Sequence, residues 1–179
     1  IDILVSSNLE RLLYKLSGND DVTTRDWMTK LKTESTYEVT DEVKAAISEL
    51  FFGGSCDDDK TQATIKNMFD QEGYLCDTHT AVAVDVYAQY VEKTGDKETP
   101  VILASTASPY KFSKSVLGSI IPQEQVCDSE FDIVDQLNQL TGVEVPAPLA
   151  QLKNKEVRFE SVSAVDDMPE YVLKTLGIN

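Results

Sequence analysis

The densest group of chemically capable side chains lies in C-D-T-H-T, from Cys76 to Thr80. It holds His79, the single histidine of the 179-residue chain, two residues after Asp77. An apolar, helix-forming segment follows directly, and the unpaired amides at the start of a helix can hold an anion. Asp77 and Thr78 are equally suited to be ordinary helix caps. The stretch therefore predicts either a ligand site or a plain cap.

A second polar group follows P-V-I-L-A-S, which starts at Pro100 and has the continuous apolar pattern of a buried parallel strand. In open α/β sheets, ligands contact the turns after the carboxyl ends of such strands. The turn here carries Ser105, Thr106 and Ser108, and Pro109 suits the first turn of a helix. Either these hydroxyl groups contact a ligand, or Ser108 simply caps the helix.

The sequence predicts no metal site. Cys76 and His79 have the spacing of one ligand pair, but no second pair at a matching distance completes a zinc site. The run 57–59, D-D-D, lacks the alternating ligands and the glycine of a calcium loop. No G-x-S-x-G motif and no glycine-rich phosphate loop is present either.

The composition excludes some partners. There are 31 acidic and 16 basic residues, which gives a formal net charge of -15. Such a surface repels nucleic-acid phosphates, so we expect no DNA or RNA partner. No apolar run has the length of a membrane span, so we expect no membrane partner. The three cysteines are odd in number and widely spaced, which favours the reducing cytoplasm over a disulfide framework.

Apolar stripes with helical spacing dominate the chain up to Gln71. Ser7 and Glu10 have the spacing of a capping box, and Gly18 is expected to end the helix that they open. Three more helices are expected to begin at Thr23 or Thr24, at Thr40 and at Thr61. These three helices together predict a small helical subdomain.

The later part of the chain predicts an α/β arrangement with too few strands. A helix from Thr80 to about Lys93 is apolar on most sides, so we expect it to lie between two layers. The strand at Pro100 is clear, whereas E-V-R-F-E-S-V, from Glu156, is a weaker edge strand. Further helices are expected after Pro109, from Ser129 to Leu140, at V-P-A-P and near the C-terminus. The chain also begins with Ile1 and not methionine, so we expect the C-terminal part of a larger, helix-rich α/β domain whose sheet is incomplete here.

Three motifs occur in order along the chain: S-S-N-L-E-R from Ser6, E-G-Y-L-C-D-T-H-T-A-V-A-V from Glu72, and T-P-V-I-L-A-S-T-A-S-P-Y-K-F from Thr99. Together with I-D-I-L-V before them and L-T-G-V-E-V-P-A-P-L-A-Q-L after them, they closely resemble the C-terminal part of threonine synthase. This family consists of pyridoxal-phosphate enzymes of the tryptophan-synthase-like fold, fold type II. The resemblance covers essentially the whole chain, and it implies a three-layer sandwich with a small helical subdomain.

The resemblance also implies a division of the chain. We expect residues 1–22 to form a substrate-side loop and helix, residues 23–72 the small helical subdomain, residues 73–145 the cofactor-side α/β part, and residues 146–179 a C-terminal extension.

By resemblance, the parent enzyme is a carbon–oxygen lyase acting on phosphate. It converts O-phospho-L-homoserine and water to L-threonine and phosphate, with pyridoxal phosphate as the electron sink. The lysine that binds the cofactor covalently, and the loop that holds the cofactor phosphate, are expected upstream of Ile1. We therefore expect no catalytic residue within this chain, and no activity from the chain alone.

The resemblance assigns five cofactor-binding candidates. In this fold, the turn after the strand supplies a hydroxyl group to the ring nitrogen of the cofactor. Thr106 matches that place best, with Ser105 as the alternative, and the hydroxyl is expected to donate to a neutral nitrogen. Asp77, His79 and Thr80 match a D-x-H-T-A motif that lines the cofactor face.

The substrate-binding candidates come from the S-S-N-x-E-R motif: Ser6, Ser7, Asn8 and Arg11. Arg11 suits a carboxylate or a phosphate, although it is equally suited to be a charge on the surface of a helix. Lys111 is a weaker phosphate candidate. The alternative to an enzyme is a non-catalytic, acidic α/β module that serves interaction or regulation.

Overall fold

The computed structural model describes residues 5–178. Residues 1–4, which include Ile1 and the start of the I-D-I-L-V motif, and Asn179 lie outside the described residues. Within the described range the regular structure is helical. The helices are α1 (Ser7–Leu16), α2 (Asp21–Glu34), α3 (Asp41–Leu50), α4 (Asp58–Glu72), α5 (Thr78–Thr94), α6 (Ser113–Ile120), α7 (Glu130–Thr141), α8 (Ala147–Ala150) and α9 (Met168–Leu176). Short 3-10 turns cover Pro109–Phe112, Gln123–Gln125 and Gln151–Asn154.

The described residues divide into two compact units. The boundaries of these units do not coincide with those of the four ranges expected from the sequence, and the four-range division stays a prediction. The first unit contains residues 5–60 and Val82–Leu103. Its core is formed where α1, α2 and α3 bring together Leu13, Trp27 and Val43, each at most 4% exposed. The apolar stripes of these three helices therefore face one another, as their spacing predicts.

The caps of the first helices correct the sequence-based expectation in two places. Ser6, and not Ser7, caps α1, because its hydroxyl oxygen accepts from the Leu9 amide at 3.3 Å. Asp20, and not Thr23 or Thr24, caps α2. The Asp20 carboxylate accepts from the Val22 and Thr23 amides, both at 3.0 Å, so it satisfies two unpaired donors where a threonine hydroxyl satisfies one.

The expected cap of α3 is confirmed. The hydroxyl oxygen of Thr40 accepts from the Val43 amide at 3.4 Å, and Asp41 and Glu42 in the first turn favour the helix dipole. The stripe of α3 is buried at Val43, whereas Leu50 and Phe51 at its end are 66% and 54% exposed.

The second unit contains Thr61–Ala81 and residues 104–178. Its core is built from α4, α6 and α7, whose central side chains are fully buried: Ile65, Val116, Leu117, Ile133 and Leu137. The hydroxyl of Tyr110 donates to the Val143 carbonyl at 2.5 Å and holds the end of α7 to the turn before α6. Gly142 ends α7 with a φ of +69°, as predicted, because that conformation disfavours side chains.

The long helix is confirmed as α5, and it begins at Thr78, two residues earlier than predicted. Its side chains from Val82 to Val91 are half-buried, apart from exposed Ala88. The two layers expected on either side of it are not formed by residues 5–178, in which no sheet is present.

Both strand predictions are wrong for the described residues. The segment from Pro100 to Ser105 is irregular, and Val101, Ile102 and Leu103 are 44%, 95% and 38% exposed. The segment from Glu156 to Val162 is irregular as well. A strand is stable only when neighbouring strands satisfy its amide and carbonyl groups, and this part of the chain supplies no neighbours.

None of the described helices is both long and apolar enough to span a membrane.

The core of the second unit yields a stability prediction. Leu137 is fully buried, whereas Leu140, on the same helix, is 47% exposed. We expect Leu137→Ala to lower the free energy of unfolding by about 2–5 kcal/mol through lost burial and the cavity left behind. We expect the matched control Leu140→Ala to change it by less than about 0.5–1 kcal/mol, since most of that side chain already meets water. Urea denaturation of both variants measures this difference, and equal losses would contradict the assigned core.

Candidate functional site

The first turn of α5 is organised by the carboxylate of Asp77, which is fully buried. Its Oδ1 accepts from the His79 amide at 2.8 Å and lies 3.1 Å from the His79 Nδ1. Its Oδ2 accepts from the Thr80 hydroxyl at 2.5 Å. Burial raises the pKa of Asp77, but the hydrogen bonds from the Thr80 hydroxyl, the His79 amide, the His79 ring and the Thr80 amide outweigh burial. The net pKa of Asp77 is therefore below its ordinary value.

At the N-terminus of α5, a carboxylate of the protein itself therefore occupies the predicted anion site. The carboxylate of Asp77 occupies the place in which a bound anion would meet the first free amides. The cap interpretation of Asp77 is thus confirmed, and its role toward a ligand stays a prediction. Thr78, by contrast, is 92% buried, and its hydroxyl finds no hydrogen-bond partner in the described part of the chain.

The structure brings the two polar stretches of the sequence together. The hydroxyl oxygen of Ser105 lies 3.1 Å from the Thr80 hydroxyl oxygen and 3.2 Å from the Tyr74 hydroxyl oxygen. Tyr74, Ser105, Thr80 and Asp77 therefore form a chain of hydrogen bonds, which we call the hydroxyl relay. Its inner end, Asp77 and Thr80, is buried, whereas Ser105 and Tyr74 are exposed.

The other hydroxyl groups of the turn take different places. Thr106 is exposed, and its hydroxyl makes no hydrogen bond to any described residue. Ser108 caps the 3-10 turn Pro109–Phe112, because its hydroxyl oxygen accepts from the Tyr110 amide at 3.3 Å. The cap interpretation of Ser108 is confirmed, and the choice between Thr106 and Ser105 as the cofactor ligand stays a prediction.

The ring of His79 is held on two sides. Its Nδ1 faces the Asp77 carboxylate, and its plane packs against Phe112 with 5.1 Å between ring centres. A proton on Nδ1, donated to Asp77, leaves the Nε2 of a neutral ring as an acceptor. The side chain of His79 is 38% exposed. The ammonium of Lys111 lies 5.4 Å from the centre of the Phe112 ring, close to this group.

The remaining substrate candidates lie in the first unit. Ser6 is engaged as the cap of α1. Ser7 and Arg11 line an open groove of about 880 Å³ between α1 and α2, and the side-chain oxygen of Asn8 accepts from the Arg11 guanidinium. Arg25 also lines the groove, but it pairs with Asp21 at 2.7 Å. Arg11 therefore carries a positive charge that no carboxylate of the described residues pairs with.

The described residues contain no group of three or more histidine, cysteine, aspartate and glutamate side chains placed to hold a metal. Cys76 is itself a poor ligand, because burial, and then the nearby charge of Asp77, raises the pKa of its thiol to about 11. A thiol must lose its proton to bind a metal, so a raised pKa weakens this ligand.

Two residues of this site were missed by sequence reasoning. Tyr74 lies within the E-G-Y-L-C-D motif, but nothing in the sequence shows that its hydroxyl meets Ser105, which is 31 residues later. Phe112 stands in Y-K-F, where the sequence predicts only the start of a helix, whereas its ring packs against His79. For Tyr74 the local signal is the residue type, because a tyrosine hydroxyl commonly finds a hydrogen-bond partner while its ring packs against apolar groups.

The lowered pKa of Asp77 yields a pH prediction. The ionised carboxylate stabilises the fold at pH values above the ordinary pKa of 3.8, and this contribution is lost as the pH falls through the lower pKa of the folded state. We expect the difference in unfolding free energy between the native chain and Asp77→Asn to be full at about pH 6 and to shrink below about pH 4. Urea denaturation across that range measures it, and a constant difference would contradict the assignment.

The chain is similar to known proteins of one family. Residues 80–172, more than half of the chain, match the family model described as "Threonine synthase, C-terminal". The threonine synthase of Schizosaccharomyces pombe is 35% identical over 127 residues, which are 65% of this chain and 24% of that protein. Human threonine synthase-like 1 is 28% identical over 168 residues, 93% of this chain and 22% of that protein.

Two solved structures are similar as well. The yeast threonine synthase has a TM-score of 0.71 at 25% identity, over 98% of this chain and 35% of that chain. The threonine synthase of Brucella melitensis with bound pyridoxal phosphate has a TM-score of 0.68 at 28% identity, over 94% of this chain and 32% of that chain.

These likenesses confirm the expected fold, the C-terminal part of a fold type II enzyme whose sheet is incomplete within this chain. The chain spans about a quarter of the length of the curated relatives that it matches. Because its residues 80–172 match this family model, the chain belongs to the threonine synthase family and corresponds to the C-terminal part of its members.

Proposed function

We propose that the chain is the C-terminal part of a pyridoxal-phosphate-dependent threonine synthase. Such an enzyme converts O-phospho-L-homoserine and water to L-threonine and phosphate, as a carbon–oxygen lyase acting on phosphate. The observation that carries the proposal is the contact of Ser105 with Thr80 at 3.1 Å. It joins two of the three sequence motifs that resemble this family, and it does so at an exposed serine.

The donor set of the site fits one end of the cofactor. Ser105 offers an exposed hydroxyl that Thr80 and Asp77 hold from the buried side, which suits the ring nitrogen of pyridoxal phosphate. When bound, the cofactor supplies an electron sink for the bonds that change in the substrate. In this proposal the covalent lysine and the phosphate loop belong to the remaining part of the enzyme, because this chain spans about a quarter of the length of the matched relatives.

His79 is proposed as a polar group that faces the cofactor or the substrate. Asp77 fixes its Nδ1 and Phe112 fixes its ring plane, so the Nε2 has a defined direction before any ligand binds. This arrangement suits accepting a hydrogen bond from a ligand.

Arg11 is proposed to bind the phosphate or the carboxylate of the substrate. A guanidinium matches either group with two parallel hydrogen bonds. Asn8 orients it from the same helix turn, and Ser7 lines the groove beside it. Lys111 is a second candidate, in the other unit, as an exposed ammonium beside Phe112.

The exposed apolar side chains support a role within a larger enzyme. Val101, Ile102 and Leu103 form one exposed apolar segment, and α9 exposes Val172 and Leu176 at 52% and 66%. A protein that works alone rarely leaves such continuous apolar surface in water. We propose that other parts of the enzyme cover these segments. The free thiols of Cys76 and Cys127 support a reducing, cytoplasmic location.

The proposal is tested with a full-length protein that contains these residues, purified with pyridoxal phosphate and supplied with O-phospho-L-homoserine. We expect threonine and phosphate to appear in equal amounts and to require the cofactor. The 179-residue chain alone is the control, and we expect it to be inactive. A full-length protein without turnover would contradict the proposal and favour a non-catalytic module; the matched relatives include proteins named threonine synthase-like.

The assignment of Arg11 yields a matched test in the same assay. We expect Arg11→Gln to raise KM for O-phospho-L-homoserine by roughly ten- to hundredfold, through the loss of a charge-assisted hydrogen bond worth about 1.5–3 kcal/mol. Arg25→Gln is the control. It removes a charge from the same groove, but one that Asp21 already neutralises at 2.7 Å, so KM should change less than about twofold. Equal effects of both substitutions would leave Arg11 as an ordinary surface charge.

A further inference from the structure

Residues 155–178, which we call the C-terminal arm, pack against little of the described chain. All of them except the half-buried Ser163 are exposed. Ten large apolar side chains are among the exposed ones, and Phe159, Val162 and Leu176 are 78%, 95% and 66% exposed. Within the described part of the chain, the hydrogen bonds of residues 156–178 join only residues of the arm to one another. The arm therefore keeps its apolar surface in water and gains little stability from the core of its own unit.

The arm begins from a fixed root. The ammonium of Lys153 lies 2.6 Å from Oδ2 of Asp135 and 3.8 Å from Oδ1 of Asp132, both on α7. Leu149 packs against the core of the same unit. At Lys155 the backbone is extended, with a φ of -88° and a ψ of 138°. The arm therefore leaves a defined place on α7 in an extended conformation.

Residues 156–162 have the features of a strand without a partner. Apolar Val157 and Phe159 alternate with charged residues, and β-branched and aromatic side chains favour strands. None of the amide and carbonyl groups of residues 156–162 is hydrogen-bonded to another described residue. Such a row of free backbone groups pairs readily with the edge of a sheet.

Helix α9 has complete ends but no buried face. Pro169 lies in its first turn. Gly177 ends the helix with a φ of +67°, and the Ile178 amide donates to the Leu173 carbonyl at 2.9 Å. The helix has nine residues, and helices this short are marginal in water unless one face is packed. Its side chains are nevertheless all exposed, so α9 also lacks the surface that would stabilise it.

We infer that the C-terminal arm clamps this chain to the part of the full-length protein that precedes it. Residues 156–162 add along the free edge of a sheet in that part, and α9 packs on apolar surface beside the edge. The partner surface thus combines unpaired strand groups with an apolar groove. The inference concerns the assembly of the protein and goes beyond the proposed reaction, which places no residue of the arm at the site.

The choice of partner rests on the size of the relatives. The chain corresponds to the C-terminal part of the family and spans about a quarter of the length of its curated relatives. The match to the yeast enzyme includes 98% of this chain, and so most of the arm, but only 35% of that chain. Since residues 5–178 contain no sheet, a sheet edge for the arm must lie in the preceding part. A partner within one polypeptide has an effective concentration of about millimolar, which favours it over a second copy.

Hydrogen–deuterium exchange of a full-length protein and of the 179-residue chain tests the inference. We expect the amides of residues 156–162 to exchange at least about a hundredfold more slowly in the full-length protein. Equal exchange in both proteins would overturn the inference. Protection that falls on dilution would identify a second copy as the partner and would overturn it as well. The measurement needs neither cofactor nor turnover, so an inactive full-length protein with a protected arm would contradict only the proposed function.

Two substitutions test the face of the arm that docks. In the full-length protein we expect Phe159→Ser to lose at least about tenfold of this protection, because an apolar side chain leaves the interface. The control Arg158→Ser lies on the other face and should change protection by less than about twofold. In the 179-residue chain, where both side chains are exposed, neither substitution should change the midpoint of urea unfolding. Failure to fold that is confined to full-length Phe159→Ser would support the inference, whereas equal destabilisation of the 179-residue chain would overturn it.

Discussion

A buried carboxylate must be satisfied by hydrogen bonds, and this constraint shapes the site around Asp77. An ionised group without partners in such a place would cost several kcal/mol or would take up a proton. Here the His79 amide, the His79 ring and the Thr80 hydroxyl meet it. The same bonds start α5, orient the single histidine and hold the hydroxyl that in turn contacts Ser105. Capping and site building are therefore one arrangement, and not competing interpretations of the same residues.

The helices could be predicted because their signals are local. The stripe of α1, the cap at Thr40 and the glycine at 142 each act within a few residues, and all three appear in the structure. The predicted caps were wrong where two candidates lay within one turn. At the start of α2 the cap is Asp20, whose carboxylate accepts hydrogen bonds from two amides. The strand from Pro100 failed for another reason, since its partners are not among residues 5–178 and a strand has no structure of its own.

The candidate site could be predicted in part for the same reason. The residue types around His79 and in the turn after Leu103 indicated two polar groups. Since these groups are far apart in the sequence, the sequence alone did not show that they lie close together in the structure. Their contact depends on how α5 meets the turn that follows, a long-range property of the fold. Tyr74 is an example, because its hydroxyl contacts Ser105, which is 31 residues later, and no residue near Tyr74 in the sequence indicates that contact.

The central claim is that Asp77, through Thr80, holds Ser105 against the ring of pyridoxal phosphate. A crystal structure of a full-length protein with the bound cofactor tests it most directly. The account predicts the Ser105 hydroxyl oxygen at about 3 Å from the ring nitrogen, with its contact to Thr80 retained and the Tyr74 hydroxyl displaced. A ring nitrogen bound by Thr106, or a cofactor bound away from the first turn of α5, would contradict it.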